Sequence, residues 1–333
     1  INYRRKQSLY HAAHSHKGPL PTTTQEHRPL PACRRPPPPL GKPAMDLKSQ
    51  VYTATDCEDP QLHPLGPGLA AVFTQRAPDS SDVNEDSCAI IPYAEGAGIL
   101  VVADGAGGLP DGAQASQVTV QTLRSTLRAA SKKNLELRSA ILDGIEKANR
   151  EVLKLGLGAA TTLAIAEIQG KKLRTYHVGD SQIMVIGHTG KIKLKTMSHS
   201  PVGYGVEAGF IEEQDAIMHE ELHLVSNLIG FDSMHIEIGT AIDLAPKDTV
   251  IIASDGLFDN LRSEEIADTC RGSQLLALSR KLVEACHARM LSTEEGEPSK
   301  PDDLTVIAYR RSAVENALGV EGASSGAEES GAE

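Results

Sequence analysis

The run Gly98-Ile99-Leu100-Val101-Val102-Ala103-Asp104-Gly105-Ala106-Gly107-Gly108 decides how the rest of the chain is read. Its opening residues are aliphatic and β-branched, the composition of a strand buried on both faces. One acid and a glycine-rich turn close it. Asp104 thus stands where a rigid strand stops and the backbone bends, a firm mount for a carboxylate that must hold still. The glycines permit close approach of the main chain, carbonyls included, to a ligand. Taken alone, an Asp-Gly pair after a strand is a plain turn signal. The arrangement recurs, and the recurrence gives it weight.

The chain has 333 residues, 40% of them hydrophobic, with no Trp, four Phe and seven Tyr. A sizeable core is therefore expected, built from Val, Ile, Leu and Ala. The longest uncharged, mostly apolar stretch, Leu155 to Ala166, is twelve residues long. A bilayer span takes about 20 such residues, so no membrane-spanning helix is expected, and no secretory signal is visible. Five cysteines (Cys33, Cys57, Cys88, Cys270, Cys286) form no Cys-x-x-Cys pair. Reduced thiols and a cytoplasmic setting follow as expectations.

Charge is unevenly spread. Residues 1–44 carry eight Lys and Arg against Glu26, a net of +7, so the remainder holds −18 of the chain's −11. A body that acidic repels nucleic acid and suits hard divalent cations. The same leader holds nine of the nineteen prolines. It reads as an unstructured appendage. An organelle transit segment, or an SH3-type ligand at Arg34-Arg35-Pro36, are weaker alternatives, and Met45 offers a possible natural start. Residues 1–60 are assigned to this leader and 313–333 to an unpatterned acidic tail.

Order is expected from near Gly68. Strands are predicted over Leu69–Thr74, Ser87–Ile91 and Gly98–Ala103, followed by a helix from about Asp111 with Ala115, Val118, Val120, Leu123 and Leu127 on its apolar face. A second helix has Leu137, Ile141, Ile145, Ala148 and Val152 in helical step and ends before Gly156 and Gly158. Further strands are predicted over Thr161–Ile168, Leu173–Val178, Ile183–Ile186 and Ile192–Lys195, with Gln169-Gly170 and His188-Thr189-Gly190 as hairpin turns. His199–His223 looks irregular, a surface flap. A buried strand at Thr249–Ala253, helices over Ser263–Thr269 and Ser273–Met290, and a last strand at Leu304–Tyr309 complete the pattern. Hairpin-spaced strands alternating with helix pairs give an α+β protein with mainly antiparallel sheets.

Acids mark the strand ends: Asn84-Glu85-Asp86-Ser87, Asp104-Gly105, Gly179-Asp180-Ser181, Ser254-Asp255-Gly256 and Pro301-Asp302-Asp303. Each singly reads as an Asx-turn, a cap or a solvated edge. Brought together with no Lys or Arg beside them, they must repel, raise their pKa values or hold cations. Mg²⁺ or Mn²⁺ fits an all-oxygen set, and no His in these motifs points to zinc.

These motifs, with Ala160-Thr161-Thr162 and Asp302-Asp303-Leu304-Thr305-Val306, closely resemble the metal-dependent protein phosphatases, the PPM or type 2C serine/threonine family, from about Gly68 to Arg310. The resemblance implies a four-layer α/β/β/α sandwich over residues 65–312. It implies hydrolysis of phosphoserine and phosphothreonine proteins by a hydroxide bridging two Mn²⁺ or Mg²⁺ ions. Asp104 would bridge the ions, Gly105 would offer its carbonyl, and Asp255 and Asp302 would complete the ligands. Glu85 and Asp86 would orient coordinated waters, with Asp180 at a third, weaker site. Asp104, Asp255, Asp302 and Glu85 are thus the candidate catalytic residues, and a monomer with no nucleic-acid or membrane partner is expected.

Two departures stand out. Many members have His at the position of Ala106, where it is thought to protonate the leaving oxygen. An Arg common four residues before the motif Glu is Ser81 here, and Arg76 is the candidate replacement for holding phosphate. A catalytically silent relative that only binds partners is the alternative; against it, every acid expected at the ions is present. A calcium-binding protein is disfavoured because Asp104–Asp111 lacks EF-hand spacing.

Overall fold

The computed structural model describes residues 48–106, 111–156, 158–294 and 296–311. The disorder expected of the leader before residue 48 and of the acidic tail lies outside the described residues. In chain order, strands β1 (Gln50–Thr53), β2 (Gln61–Leu65), β3 (Gly68–Gln75), β4 (Ser87–Ala94) and β5 (Ala97–Ala103) precede helices α1 (Gly112–Lys132) and α2 (Leu137–Leu153). Strands β6 (Leu163–Gln169), β7 (Lys172–Val178), β8 (Gln182–Ile186) and β9 (Ile192–Lys195) follow. Then come α3 (Pro201–Glu207), α4 (Glu213–Ala216), β10 (Glu237–Ile238), β11 (Ile242–Asp243) and β12 (Thr249–Ala253). Helices α5 (Asp255–Phe258), α6 (Ser263–Cys270) and α7 (Leu275–Met290) lead into β13 (Leu304–Arg311).

The strands form two sheets. One runs β1-β4-β5-β6-β7, with β10 and β11 both on the outer side of β7; the other runs β2-β3-β13-β12-β8-β9. All these pairings are antiparallel. Strand alternation explains the layers. In β5, Ile99, Val101 and Ala103 face a cluster with Leu123 and Leu127 of α1 and Ile141 and Ile145 of α2. Leu100 and Val102 face the other way, into a cluster with Ile183 of β8, Ile251 of β12 and Val306 of β13, which also takes in Leu278 and Leu282 of α7. The result is the expected α+β sandwich of two antiparallel sheets with helices.

Order begins earlier than the sequence reading placed it. Instead of belonging to a leader through residue 60, Gln50–Thr53 pairs with β4, and β2 pairs with β3 ahead of Gly68. Both are edge strands, which tolerate polar residues and even Pro64 because one side of their backbone needs no ladder partner. Tyr52 ties them together: its hydroxyl lies 2.9 Å from Gln61 Oε1 and 2.6 Å from His63 Nε2. Helix α7 starts two residues later than predicted. Gln274 is still extended, and Arg310 donates to the Ser273 carbonyl at 2.7 Å.

Candidate metal centre

Antiparallel register brings the strand-end acids to one end of the sandwich. Ser87 pairs with Ala103, so Asp86 and Asp104 are neighbours across β4 and β5. Ala253 pairs with both Val306 and Gln182, which sets Asp255 beside Asp302 and beside the β7–β8 turn carrying Asp180. One sheet supplies Asp86 and Asp104, the other Asp255 and Asp302, and the turn that crosses between sheets supplies Asp180.

Short side chains fix this end. Ser254 Oγ donates to Asp86 Oδ2 at 2.8 Å, stitching one sheet to the other, and itself accepts from Thr305 N at 3.0 Å. Asp104 is anchored through its main chain. Its carbonyl accepts from Thr161 Oγ1 at 2.6 Å and Thr162 N at 2.8 Å, and its N–H donates to Thr162 Oγ1 at 3.0 Å. The carboxylate of Asp303 accepts from Ala77 N at 2.8 Å and Glu85 N at 2.6 Å. It is thereby a brace for the loop carrying Glu85, a task the sequence did not reveal. Asp86 Oδ1 is buried with no hydrogen-bond partner among the described residues. An orphaned carboxylate oxygen is costly unless a cation or ordered water answers it.

Electrostatics tells the same story. Burial, and then the charges of Asp86, Asp255, Asp302 and Asp180, push the Asp104 carboxyl well above the usual carboxylate range. Burial, then Asp303 and Asp255, do the same to Asp86. Asp180 rises to about 7 and Asp302 to about 6, in both cases through burial first and Asp255 next. Glu85 is raised by burial and Asp303. Its carboxylate lies against the start of α1, near Gly112. Carboxylates this crowded take protons or bind divalent ions, and the all-oxygen donor set fits Mg²⁺ or Mn²⁺.

The cluster is not free of basic residues, as the sequence reading had it. Lys300 Nζ lies 2.6 Å from Asp255 Oδ2, 2.9 Å from Asp259 Oδ2 and 3.2 Å from Asp302 Oδ2. Burial works against the ammonium, but the charges of Asp255, Asp259 and Asp302 outweigh it and hold Lys300 protonated far above its ordinary range. Asp259 joins the group without having been singled out. Its carboxyl is pushed well up by burial and by Asp255.

Arg76 is committed elsewhere. Its Nε and Nη2 both reach Asp56 Oδ2, at 2.8 and 2.5 Å, on the surface. Arg76→Ala is accordingly expected to leave KM for a phosphothreonine peptide within about twofold. Gly256 shows why glycine must follow Asp255: a Cβ there would meet the Asp303 carbonyl oxygen at 2.1 Å. Gly256→Ala should cost about 1–3 kcal/mol in urea unfolding, because the obstacle is backbone.

The stretch expected as an irregular flap contains α3 and α4. Ser200 caps α3 by accepting from Gly203 N, with Pro201 in the first turn. Between this flap and the body lies a cavity of about 280 Å³, apolar at Val202, Val206, Phe258 and Leu261 and bounded by Asp180 and Asp259. Under the Asp180 turn, His199 Nδ1 accepts from Gly179 N at 3.1 Å and lies 2.9 Å from Asn227 Nδ2. Its Nε2 faces Glu237 Oε2 at 3.2 Å, and His177 stacks on it while pairing with the Met197 carbonyl. Those partners orient both rings as supports for the turn, while His177 Nδ1 is buried with no hydrogen-bond partner among the described residues.

The matching family model is that of protein phosphatase 2C, over residues 76–297, about two thirds of the chain. The chain belongs to the protein phosphatase 2C family. A putative protein phosphatase 2C-type of Streptococcus pyogenes is 30% identical over 200 residues, covering 58% of this chain and 80% of that protein. The S. agalactiae serine/threonine phosphatase superposes with a TM-score of 0.62 at 27% identity, over 73% of this chain and 99% of that one. The catalytic domain of the phosphatase PstP, in complex with two manganese ions, shares the fold: TM-score 0.55, 24% identity, 72% of this chain and 96% of that one. Among the described residues no helix is long and apolar enough to cross a membrane.

Proposed function

We propose that this type 2C family member is a protein serine/threonine phosphatase that hydrolyses phosphoserine and phosphothreonine with two Mn²⁺ or Mg²⁺ ions. The observation carrying the reading is the convergence of Asp86, Asp104, Asp255 and Asp302 from both sheets, with Asp86 Oδ1 buried and unpaired. Asp104, the Gly105 carbonyl, Asp255 and Asp302 are the proposed ligands, and Glu85 and Asp86 the groups that orient coordinated waters. Bound here, such a pair of ions supplies an activated water and offsets charge on the phosphoryl oxygens.

The chain's own part is rigidity. Asp104 and Asp255 project from the ends of buried strands, Ser254 locks Asp86, and Asp303 holds the Glu85 loop in register. No Ser, Cys or His of the chain is required as a covalent nucleophile. The catalytic domain in this reading runs from β1 through β13, longer at its start than residue 65. Its substrates are phosphorylated proteins, as the names of its relatives suggest.

The test is hydrolysis of p-nitrophenyl phosphate and a phosphothreonine peptide, with Mn²⁺, with Mg²⁺ and with EDTA. Turnover that depends on the ion is expected. A folded protein that binds Mn²⁺ and turns over neither compound would instead establish the silent scaffold.

A further inference from the structure

Resting on that two-ion reading, we propose that the Lys300 ammonium is a built-in cation for the outer side of the acid cluster, so that Asp180, Asp255 and Asp259 hold no third divalent ion. The ammonium has three N–H donors, and the structure sets three carboxylates within 3.2 Å of it. Among the described residues no other side chain hydrogen-bonds to the carboxylate of Asp255 or Asp259.

The backbone shows that this placement is built rather than incidental. Fully buried Asn260 grips Lys300 on both sides of its Cα: Asn260 Oδ1 accepts from Lys300 N at 2.9 Å, and Asn260 Nδ2 donates to the Lys300 carbonyl at 2.8 Å. The same Nδ2 donates to the Gly256 carbonyl at 2.9 Å, tying Lys300 to the turn that carries both Asp255 and Asp259. Pro301 follows and restricts Lys300 to extended backbone. Main chain and side chain are therefore both aimed at the acids.

A divalent ion on this side would need oxygens that Nζ already touches, and the two cations would repel across a poorly solvated gap. Asp255 gives Lys300 only Oδ2 and keeps Oδ1. On Asp255 the lysine thus leaves an oxygen for an inner ion, and it meets Asp302 at the longest of its three distances, 3.2 Å. A fixed monovalent charge answers Asp259 at every metal concentration, whereas a weak third site would fill only at high Mn²⁺.

The test counts bound Mn²⁺ by equilibrium dialysis and electron paramagnetic resonance in the full chain, alone and as Lys300→Met and Lys300→Met/Asp259→Asn. Two ions are expected in the unmodified protein up to millimolar free Mn²⁺. A third should appear in Lys300→Met and vanish again in the double variant. Three ions in the unmodified protein, or two in a folded Lys300→Met, would overturn the inference. No bound ion at all would instead remove the two-ion reading on which it stands. Amine acetylation of the unmodified protein, read by mass spectrometry, needs no variant to fold. Lys300 should label at least about tenfold more slowly than exposed Lys191, with or without saturating Mn²⁺. Release of Lys300 to the Lys191 rate on adding Mn²⁺ would mean that the ion displaces the ammonium, and the proposal would fall.

Discussion

Asp104→Asn is expected to lower kcat/KM for p-nitrophenyl phosphate by at least about 10³, about 4 kcal/mol of transition-state stabilisation. The carboxamide has the shape of the carboxylate but lacks the charge with which Asp104, in the proposed two-ion reading, would hold the ions. The fold should not notice, because the polar anchors of Asp104 are main-chain ones: Thr161 Oγ1 and Thr162 N on its carbonyl, and Thr162 Oγ1 on its N–H. Without metal the variant should melt no lower than the unmodified protein. Burial and the charges of Asp86, Asp255, Asp302 and Asp180 already work against the ionised carboxyl, and the amide removes that opposition. Kinetics in Mn²⁺ and calorimetry in EDTA, run side by side, separate a lost ligand from a lost fold. Turnover within about tenfold of the unmodified enzyme would remove Asp104 from the centre.

Much of this architecture could be read from the chain because its buried strands and helices carry their own period. The run ending at Asp104 is β5, the Leu137 to Val152 spacing is α2, and Val250-Ile251-Ile252 is the middle of β12. Edge strands β1 and β2 carry no such period. Their residues are polar, and pairing to β4 and β3 is what makes them strands. The flap helix α3 did carry a signal, Ser200 followed by Pro201, which the irregular hydrophobicity of its surroundings obscured. Adjacent Asp302 and Asp303 illustrate a harder limit. Neighbours on an extended chain point opposite ways. Asp303 turns to the backbone of Ala77 and Glu85, while Asp302 turns to Lys300. Local sequence treats the pair as equivalent. Lys300 stands two residues before Asp302, so a basic neighbour is visible in the sequence; its 45-residue distance from Asp255 hides that the same ammonium also reaches that acid.

The metal-free protein is expected to lose stability as pH rises from about 5 to 8, by about 10 °C in melting temperature. Burial, and then the charge of Asp255, raise Asp180 to about 7 and Asp302 to about 6 in the folded state, from an ordinary value of 3.8. The folded chain therefore binds these protons more tightly than the unfolded one. Their contribution is complete below the unfolded value and is lost as pH climbs through 6 and 7, on the order of 2–3 kcal/mol for the coupled cluster once solvent screening of the partly exposed Asp302 side chain is discounted. Acids held down by basic partners run the other way. Exposed Glu213, where partial desolvation is outweighed by Lys195, which lowers the carboxyl, and Asp56, lowered by Arg76, lose their contribution as pH falls through their depressed values. Stability in EDTA should accordingly peak at about pH 4, where both sets of acids still contribute. Saturating Mn²⁺ reverses the upper limb, since the ions take the deprotonated carboxylates and their stabilisation grows with pH. Scanning calorimetry from pH 5 to 8, in EDTA and in Mn²⁺, checks both limbs. A melting temperature in EDTA that stays flat or rises across that range would show that these acids do not form a strained, cation-demanding cluster.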